Sequence, residues 1–209
     1  MTMDRLDAVL ATAGPLLRRV DEVLAAGGAP PDHRVWARLR QVRLLPGDAA
    51  YAIGALRPAE AAAVVPAVRS GGHSCAAAAV AVPPPQGWAG AAASSYEQAR
   101  RRMVRHLSGS ADSLDRRFRA TTDLAESIAG WMTDARAVLA GVLAGVLGSA
   151  EAVTLSEPAP AEPPSRPETL AAAEVAARVL DAIAMACDDA ERLIRESADL
   201  AAAVPAPTA

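Results

Sequence analysis

The sequence predicts an all-α protein, an elongated helical bundle built on a long helical hairpin. Two observations support this prediction. Alanine fills 53 of the 209 positions and only six residues are aromatic, so the core must consist of Leu, Val and closely packed Ala, which suits helices packed face to face. Long stretches also repeat apolar residues at spacings of three and four, which is the period of one helix face. The sequence shows no alternation of strands and helices.

The part of the chain before residue 83 is predicted to form several short helices. In the first of them, over 4–26, Pro15 is expected to kink or split the helix. Asp32 and Asp48 are the predicted N-caps of the next two helices, because a carboxylate there accepts hydrogen bonds from free backbone N–H groups. Gly71-Gly72 is expected to interrupt the last of these segments.

A turn follows at Gln86-Gly87-Trp88-Ala89-Gly90, directly after three prolines that force extended backbone. Gly90 permits a tight reversal, and Trp88 offers the largest apolar side chain for pinning that reversal onto a neighbour. This Trp-x-Gly elbow is predicted to join the two arms of the hairpin, with Tyr96 packing below it.

The second arm of the hairpin, over 91–149, is predicted to be the spine of the bundle. Its apolar residues keep a 4-3 spacing, which predicts a seam that the preceding helices or another chain must cover. The helix is expected either to continue through Gly109 or to kink mildly there, since a helical glycine costs about 1 kcal/mol relative to alanine. The predicted packing residues of the seam are Leu114, Phe118, Ile128, Met132 and Leu139.

A small residue recurs at every fourth position near the far end of this arm, at Ala137, Gly141, Gly145 and Ser149. We interpret this spacing as a close helix crossing inside the domain. The alternative is a dimerisation face or a face that touches a membrane. The apolar run over 137–148 is too short to span a bilayer, so no membrane span is predicted.

The chain is predicted to have three parts. Residues 1–156 form the bundle that contains the elbow and the long arm. Residues 157–167 hold five prolines and form a semi-rigid linker. Residues 168–209 form an amphipathic helix, which packs back on the bundle because it would not be stable alone, followed by a disordered tail.

Charge and cysteine content narrow the possible functions. A net charge of −3 gives no general attraction to nucleic acid or to an anionic membrane. Cys75 and Cys187 are distant in the sequence, and we interpret them as buried small hydrophobes rather than as a disulfide. The first residues lack a basic segment followed by an apolar one, so no cleaved signal peptide is expected.

Catalytic and metal-binding signals are weak. The stretch Gly72-His73-Ser74-Cys75-Ala76 approximates the G-x-S-x-G nucleophile elbow, but that motif works only between a strand and a helix of an α/β sheet. A serine hydrolase that uses Ser74 is therefore kept only as a further alternative. The three histidines are isolated and no phosphate-binding loop occurs, so neither a metal nor a cofactor is predicted.

Seven arginines over 100–119 form the one basic concentration of the chain. We interpret them first as a solvated or salt-bridged helix face, and second as a surface for an acidic protein partner. A nucleic-acid site would need interleaved aromatic residues and a basic domain, and both are missing, so no nucleic-acid partner is predicted.

Trp88-Ala89-Gly90, followed by three alanines and by Tyr96 at the head of a long helix, resembles the WXG-motif helical-hairpin proteins of type VII (ESX-type) secretion. The resemblance covers mainly residues 86–150. It implies that the Trp-x-Gly turn joins two antiparallel helices, and that the protein pairs with itself or with a small helical WXG-type partner in a four-helix bundle. It also implies that a secretion ATPase recognises the pair.

The export tag of that family, a Tyr followed four residues later by Asp or Glu, is missing here. Tyr51 is followed at that distance by Ala55, and Tyr96 by Arg100. We therefore predict a non-enzymatic interaction protein that either stays in the cytoplasm or is exported by type VII secretion, without a cleaved signal peptide, together with a tagged partner. The alternative is a cytoplasmic helical adaptor or scaffold unrelated to secretion.

Overall fold

The part of the chain that the structure describes is built from helices and turns. The computed structural model describes residues 4–156 and 163–202. No strand occurs within those ranges, which confirms the predicted all-α helical bundle. The helices are, in chain order, α1 (Arg5–Gly27), α2 (Val35–Val42), α3 (Pro46–Gly54), α4 (Pro58–Ala63), α5 (Val65–Ala81), α6 (Ala91–Leu107), α7 (Leu114–Leu147), α8 (Ala150–Ser156) and α9 (Arg166–Ala202).

The chain divides into two compact units. Unit 1 combines Met1–Arg57 with Gly130–Glu191, and unit 2 combines Pro58–Ala129 with Arg192–Ala209. Helices α7 and α9 each contribute residues to both units. Residues distant in the sequence thus share a core. The predicted division into 1–156, 157–167 and 168–209 follows the order of the chain and does not show this sharing.

Helix α9 is the most deeply buried helix of unit 1. Ala172, Val175, Val179 and Leu180 are all 0% exposed, and with the buried alanines at 171, 173 and 177 they form a buried face wider than half of the helix circumference. The remaining stripe holds Glu174, Arg178 and Asp181, which are half-buried and form ion pairs. The amphipathic pattern predicts a buried face for this helix and makes 91–149 the spine, but in unit 1 the most deeply buried helix is α9.

Helices α1 and α3 pack closely against each other. A Cβ atom added to Gly54 would lie 2.7 Å from Leu10 Cδ1, and one added to Gly47 would lie 2.4 Å from Asp21 Oδ2. The missing side chains therefore permit the close approach of the two helices. Helix α1 continues through Pro15 without the predicted split, since Pro15 is exposed and the carbonyl that loses its N–H partner can bind water there.

The small-residue stripe of α7 is not a close helix crossing. Ala137, Gly141 and Gly145 are exposed, and a Cβ atom added at either glycine would meet nothing within 4 Å. Helix α7 instead buries a different face, with Leu139 and Leu143 in the core of unit 1. The predicted crossing at this stripe is therefore wrong. The glycines of unit 1 that leave room for a close neighbour lie in α1 and α3 instead.

The starts of α2 and α3 are capped differently from the prediction. The N-cap positions are occupied by Arg34 and Leu45, so the predicted caps Asp32 and Asp48 are wrong. Free N–H groups of α3 are satisfied from another helix, since Gly47 N donates to Asp21 Oδ1 at 3.1 Å. A cap that comes from 26 residues away has no local sequence signal.

Helices α6 and α7 are separate, so the prediction of a continuous or mildly kinked arm is wrong. In the connection over 108–113, Ser108 is extended and Gly109 has a φ of 93°. Asp115 accepts hydrogen bonds from the hydroxyls of Ser113 (2.5 Å) and Ser108 (2.9 Å). Short polar side chains of this kind offer hydrogen bonds that compete with the helix, and the break follows from them.

Helix α5 continues through Gly71-Gly72, where an interruption is predicted from the sequence. The reason is tertiary packing. A Cβ atom on Gly71 would lie 2.8 Å from Phe118 Cε1, and one on Gly72 would lie 3.1 Å from Phe118 Cβ. The two glycines leave room for the Phe118 ring, so they allow α5 and α7 to approach rather than end a helix.

The start of α9 is fixed by a capping box. Glu168 Oε2 accepts hydrogen bonds from the backbone N (2.9 Å) and the hydroxyl (2.8 Å) of Ser165. Arg166 and Pro167, assigned to the linker by composition, therefore belong to the helix, and proline suits its first turn. Residues 157–162 of the predicted linker and residues 203–209 of the predicted tail lie outside the described residues.

A buried arginine connects α7 to α1 and α3. Arg136 is 5% exposed. Its Nη1 atom donates to the carbonyl oxygens of Gly54 (2.5 Å) and Leu56 (3.2 Å), at the C-terminal end of α3. Its Nε and Nη2 atoms donate to Asp4 (2.7 Å) and Asp7 (2.8 Å) at the start of α1. The guanidinium thus joins three helices of unit 1.

Candidate interaction surface

Residues 82–90 connect α5 to α6, and these two helices pack on each other. Gly90 is the N-cap of α6, with φ 82° and ψ −163°, a backbone region that is essentially restricted to glycine. The hydroxyl of Tyr96 donates to the carbonyl oxygen of Pro83 at 2.9 Å, so it ties the first turns of α6 to the start of the connection. That the Trp-x-Gly tripeptide sets the turn stays a prediction.

Trp88 lies on the surface of unit 2, with 61% of the residue exposed. Its ring centroid is 5.3 Å from that of Tyr96, and the two ring planes are inclined by 48°. The indole therefore contacts the predicted neighbour, but it is not buried against a second helix as expected for a side chain that pins the turn. A large exposed aromatic ring is typical of a contact surface.

One face of α6 extends the apolar surface of Trp88. Ala92, Tyr96, Ala99 and Met103 follow one another at spacings of four, three and four, so they share a face of the helix. Ala92 and Ala99 are exposed, and Met103 is 55% exposed. We call Trp88 and these four residues the hydrophobic strip. Helix α6 has no buried residue at all, although its pattern is amphipathic.

Unit 2 buries few side chains. Within 58–129 the buried residues are Val65, Ala79, Ser113 and Thr122. Of the five predicted seam residues, the three in unit 2 are half-buried, whereas of the two in unit 1 one is half-buried and one is buried. The half-buried residues are Leu114, Phe118, Ile128 and Met132, and the buried one is Leu139. Unit 2 therefore presents more apolar surface to solvent than a closed bundle does.

The charges on α6 are mostly positive. The helix Ala91–Leu107 contains four arginines and one glutamate. Hydrogen bonds from Arg100 and then from Arg101, each with an Nε–Oε distance of 2.6 Å, lower the pKa of Glu97 to about 2. The single carboxylate of the helix is thus held by two arginines. Arg102 and Arg105 have no carboxylate within ion-pair distance among the described residues.

The remaining arginines of the predicted basic concentration lie on a different helix, α7. A shallow cavity of about 200 Å³ between α5 and α7 is lined by Arg69, His73, Asp115, Arg119 and Asp123 among others. Its lining carries both arginines and aspartates. Arg69 already pairs with Glu126, and the hydroxyl of Ser113 lowers the pKa of Asp115. The cavity therefore does not define a site for an anion or for a cation.

The residues with catalytic potential are not assembled into a site. Ser74 is exposed in the interior of α5, without the strand–turn–helix that a nucleophile elbow needs. Cys75 is half-buried and Cys187 is exposed, and both are free thiols. The interpretation of Cys187 as buried is thus wrong, because it lies beyond the buried stretch of α9. No three His, Cys, Asp or Glu side chains cluster within the described ranges.

Helix α7 is long and apolar enough to cross a membrane by length and composition alone, and 33% of its most apolar stretch is buried. Core helices of soluble proteins have the same composition. This helix also holds Arg136 in ion pairs with two carboxylates. The composition of α7 is therefore only weak evidence for a membrane span.

Comparison of the chain with protein-family models, with curated proteins and with solved structures found no match. The resemblance to WXG-motif proteins consequently rests on Trp88-Ala89-Gly90, on Tyr96 and on the helices that flank them.

Proposed function

We propose that this chain is a non-enzymatic helical interaction protein that resembles the WXG-motif proteins of type VII secretion. It binds a helical protein partner through the α5–α6 pair, with the hydrophobic strip at the centre of the contact. The single observation that supports this proposal most is that α6 is amphipathic but buries none of its residues, while Trp88 and Met103 at the two ends of the strip are more than half exposed.

The binding part of the proposal is tested by co-purification from the native cell. The full-length chain is expected to retain a small helical protein, identified by mass spectrometry. Replacement of Trp88 and Met103 by alanine is expected to weaken the complex about 30-fold, the ratio that corresponds to about 2 kcal/mol for a central interface residue. Val153→Ala is the matched control, because Val153 is 65% exposed in α8. Equal losses in both variants would contradict the assignment of the surface.

The secretion part of the proposal has a separate test. The protein and its partner are expected in the culture medium, and their export is expected to stop when the secretion ATPase is deleted. Retention of the protein in the cell with or without the ATPase would remove secretion and leave the adaptor function. That alternative is favoured by the missing tag, since Arg100 stands four residues after Tyr96.

A further inference from the structure

We infer that the partner presents an acidic amphipathic helix to the hydrophobic strip, and that the strip does not pair with a second copy of this chain. The inference rests on the proposed function and adds the chemistry of the partner to it. It follows from the charges that flank the strip.

The α5–α6 pair is basic within an acidic protein. Its two helices contain five arginines and one glutamate, whereas the whole chain has a net charge of −3. Arg100 and Arg101 hold the one glutamate, Glu97. The exposed positive charge that remains on α6 comes from Arg102 and Arg105, so a partner helix approaches a surface without free carboxylates.

The positions of these charges relative to the strip decide which partners fit. Along a helix with a 4-3 apolar spacing, the residues that flank the apolar face set partner choice through their charges. Arg102 directly precedes Met103, and Arg100 directly follows Ala99, so an arginine stands on each side of the strip. Glutamate or aspartate at the flanking positions of a partner would pair with Arg102.

Self-pairing through the strip offers Arg102 no free carboxylate in either orientation. In a parallel pair, the flanking position of Arg102 faces that of Arg100 in the other copy. In an antiparallel pair, each of the two positions faces its own equivalent. In the antiparallel pair Arg102 opposes Arg102, and like charges opposite each other disfavour the complex. In the parallel pair Arg102 opposes Arg100, which is already paired with Glu97, so Arg102 again finds no free carboxylate. A partner with acidic flanks avoids this repulsion and gains ion pairs.

Designed peptides test the charge preference on the full-length protein. Three labelled helical peptides of about 20 residues share one apolar face and carry Glu, Gln or Lys at the flanking positions. They are titrated to about 1 mM and followed by fluorescence anisotropy. We expect the Glu peptide to bind about tenfold tighter than the Lys peptide at about 0.1 M salt, and the difference to shrink strongly at about 1 M salt, where the Debye length is only about 3 Å.

A charge reversal identifies the responsible residue. Arg102→Glu is expected to weaken binding of the Glu peptide about fivefold and to strengthen binding of the Lys peptide, in line with rim ion pairs. Arg40→Glu, at an exposed arginine of α2 without an ion pair in the described residues, is the control and is expected to change neither. If Arg102→Glu leaves the order of the peptides unchanged, the inference is overturned.

Further outcomes separate this inference from the proposed function. Equal binding of all three peptides would overturn the charge preference and leave a helix-binding surface. Binding of no peptide would count against both.

Self-pairing is tested with Met103→Cys in a background where Cys75 and Cys187 are alanine. We expect a monomer in sedimentation and no linked dimer after mild oxidation, and a disulfide-linked dimer would overturn the inference.

Discussion

Replacement of Arg136 by methionine removes a side chain that joins α7, α1 and α3. Methionine keeps much of the apolar stem but offers no donor. The carbonyl oxygens of Gly54 and Leu56, at the end of α3, lose one donor each and keep Arg57 Nη1. The carboxylates of Asp4 and Asp7 lose the guanidinium as well. The variant therefore tests how much of the stability of unit 1 depends on this junction.

The expected loss is about 3 kcal/mol. Loss of a hydrogen bond from a charged donor costs about 1.5–3 kcal/mol, and the low end applies to each of the two carbonyls because Arg57 still donates to both. The two carboxylates add little, because the side chains of Asp4 and Asp7 are 51% and 47% exposed and regain water. The sum lies at the lower end of the 3–5 kcal/mol expected when a buried pair is broken. An unfolding entropy of about 2.1 cal/mol/K per residue converts it to a fall in Tm of about 7 °C.

Thermal and urea unfolding followed by circular dichroism measure this loss. Arg136→Lys is expected to fall between the wild type and Arg136→Met, because an ammonium keeps the charge but cannot reach two helices at once. Arg119→Met, at an exposed arginine of the same helix, is the control and is expected to change stability by less than about 0.5 kcal/mol. If Arg136→Met and Arg119→Met are equally stable, the junction contributes nothing and the reasoning is refuted.

Two further variants test single contacts. Burial raises the pKa of Asp21 to about 6, so the folded state holds this proton more tightly than the unfolded chain, and the free energy of unfolding falls as pH rises from about 4 to about 6. Asp21→Asn is expected to remove this dependence in urea unfolding at several pH values, whereas a Glu22→Gln control that also removes it would contradict the assignment. Gly71→Ala is expected to lower Tm because its Cβ would lie 2.8 Å from Phe118, whereas Gly141→Ala, with nothing within 4 Å, is expected to stabilise by up to about 1 kcal/mol. The cost of Gly71→Ala should disappear in a Phe118→Ala background, and a higher Tm for both single glycine variants would show that Phe118 does not require the glycine.

The sequence predicted the helical class and most helices because their large apolar residues repeat at helical spacing. It did not predict which helix is most deeply buried, since alanine contributes little contrast to such a pattern. In α9 the alanines 171–173 and Ala176 are buried together with Val175 and Val179, so the buried face is wider than the larger residues alone indicate. The opposite stripe, with Glu174, Arg178 and Asp181, stays polar and forms ion pairs, and the width of the buried face appears only once neighbouring helices are in place.

Local polar signals divide into those that a sequence can reveal and those that it cannot. The capping box of Ser165 and Glu168 has the S-x-x-E pattern and could have placed the start of α9. The serines of 108–113 likewise indicate a break. By contrast, the contact of Asp21 with Gly47 and that of Phe118 with the glycines of α5 join residues far apart in the chain. Their roles depend on tertiary packing.

The size of the hydrophobic strip limits what kind of partner it can hold. Trp88 and Met103 expose on the order of 200 Å² of apolar surface, which corresponds to ~5 kcal/mol at about 25 cal/mol per Å². Association costs about as much in lost freedom of motion, and a stable interface buries about 800 Å² on each side. A single helix on the strip would therefore bind weakly. A partner that also covers α5, where Val80 is 88% exposed and Ala77 and Ala78 are exposed, would bury enough surface for a stable complex. A helical hairpin meets this requirement, whereas an isolated helix does not.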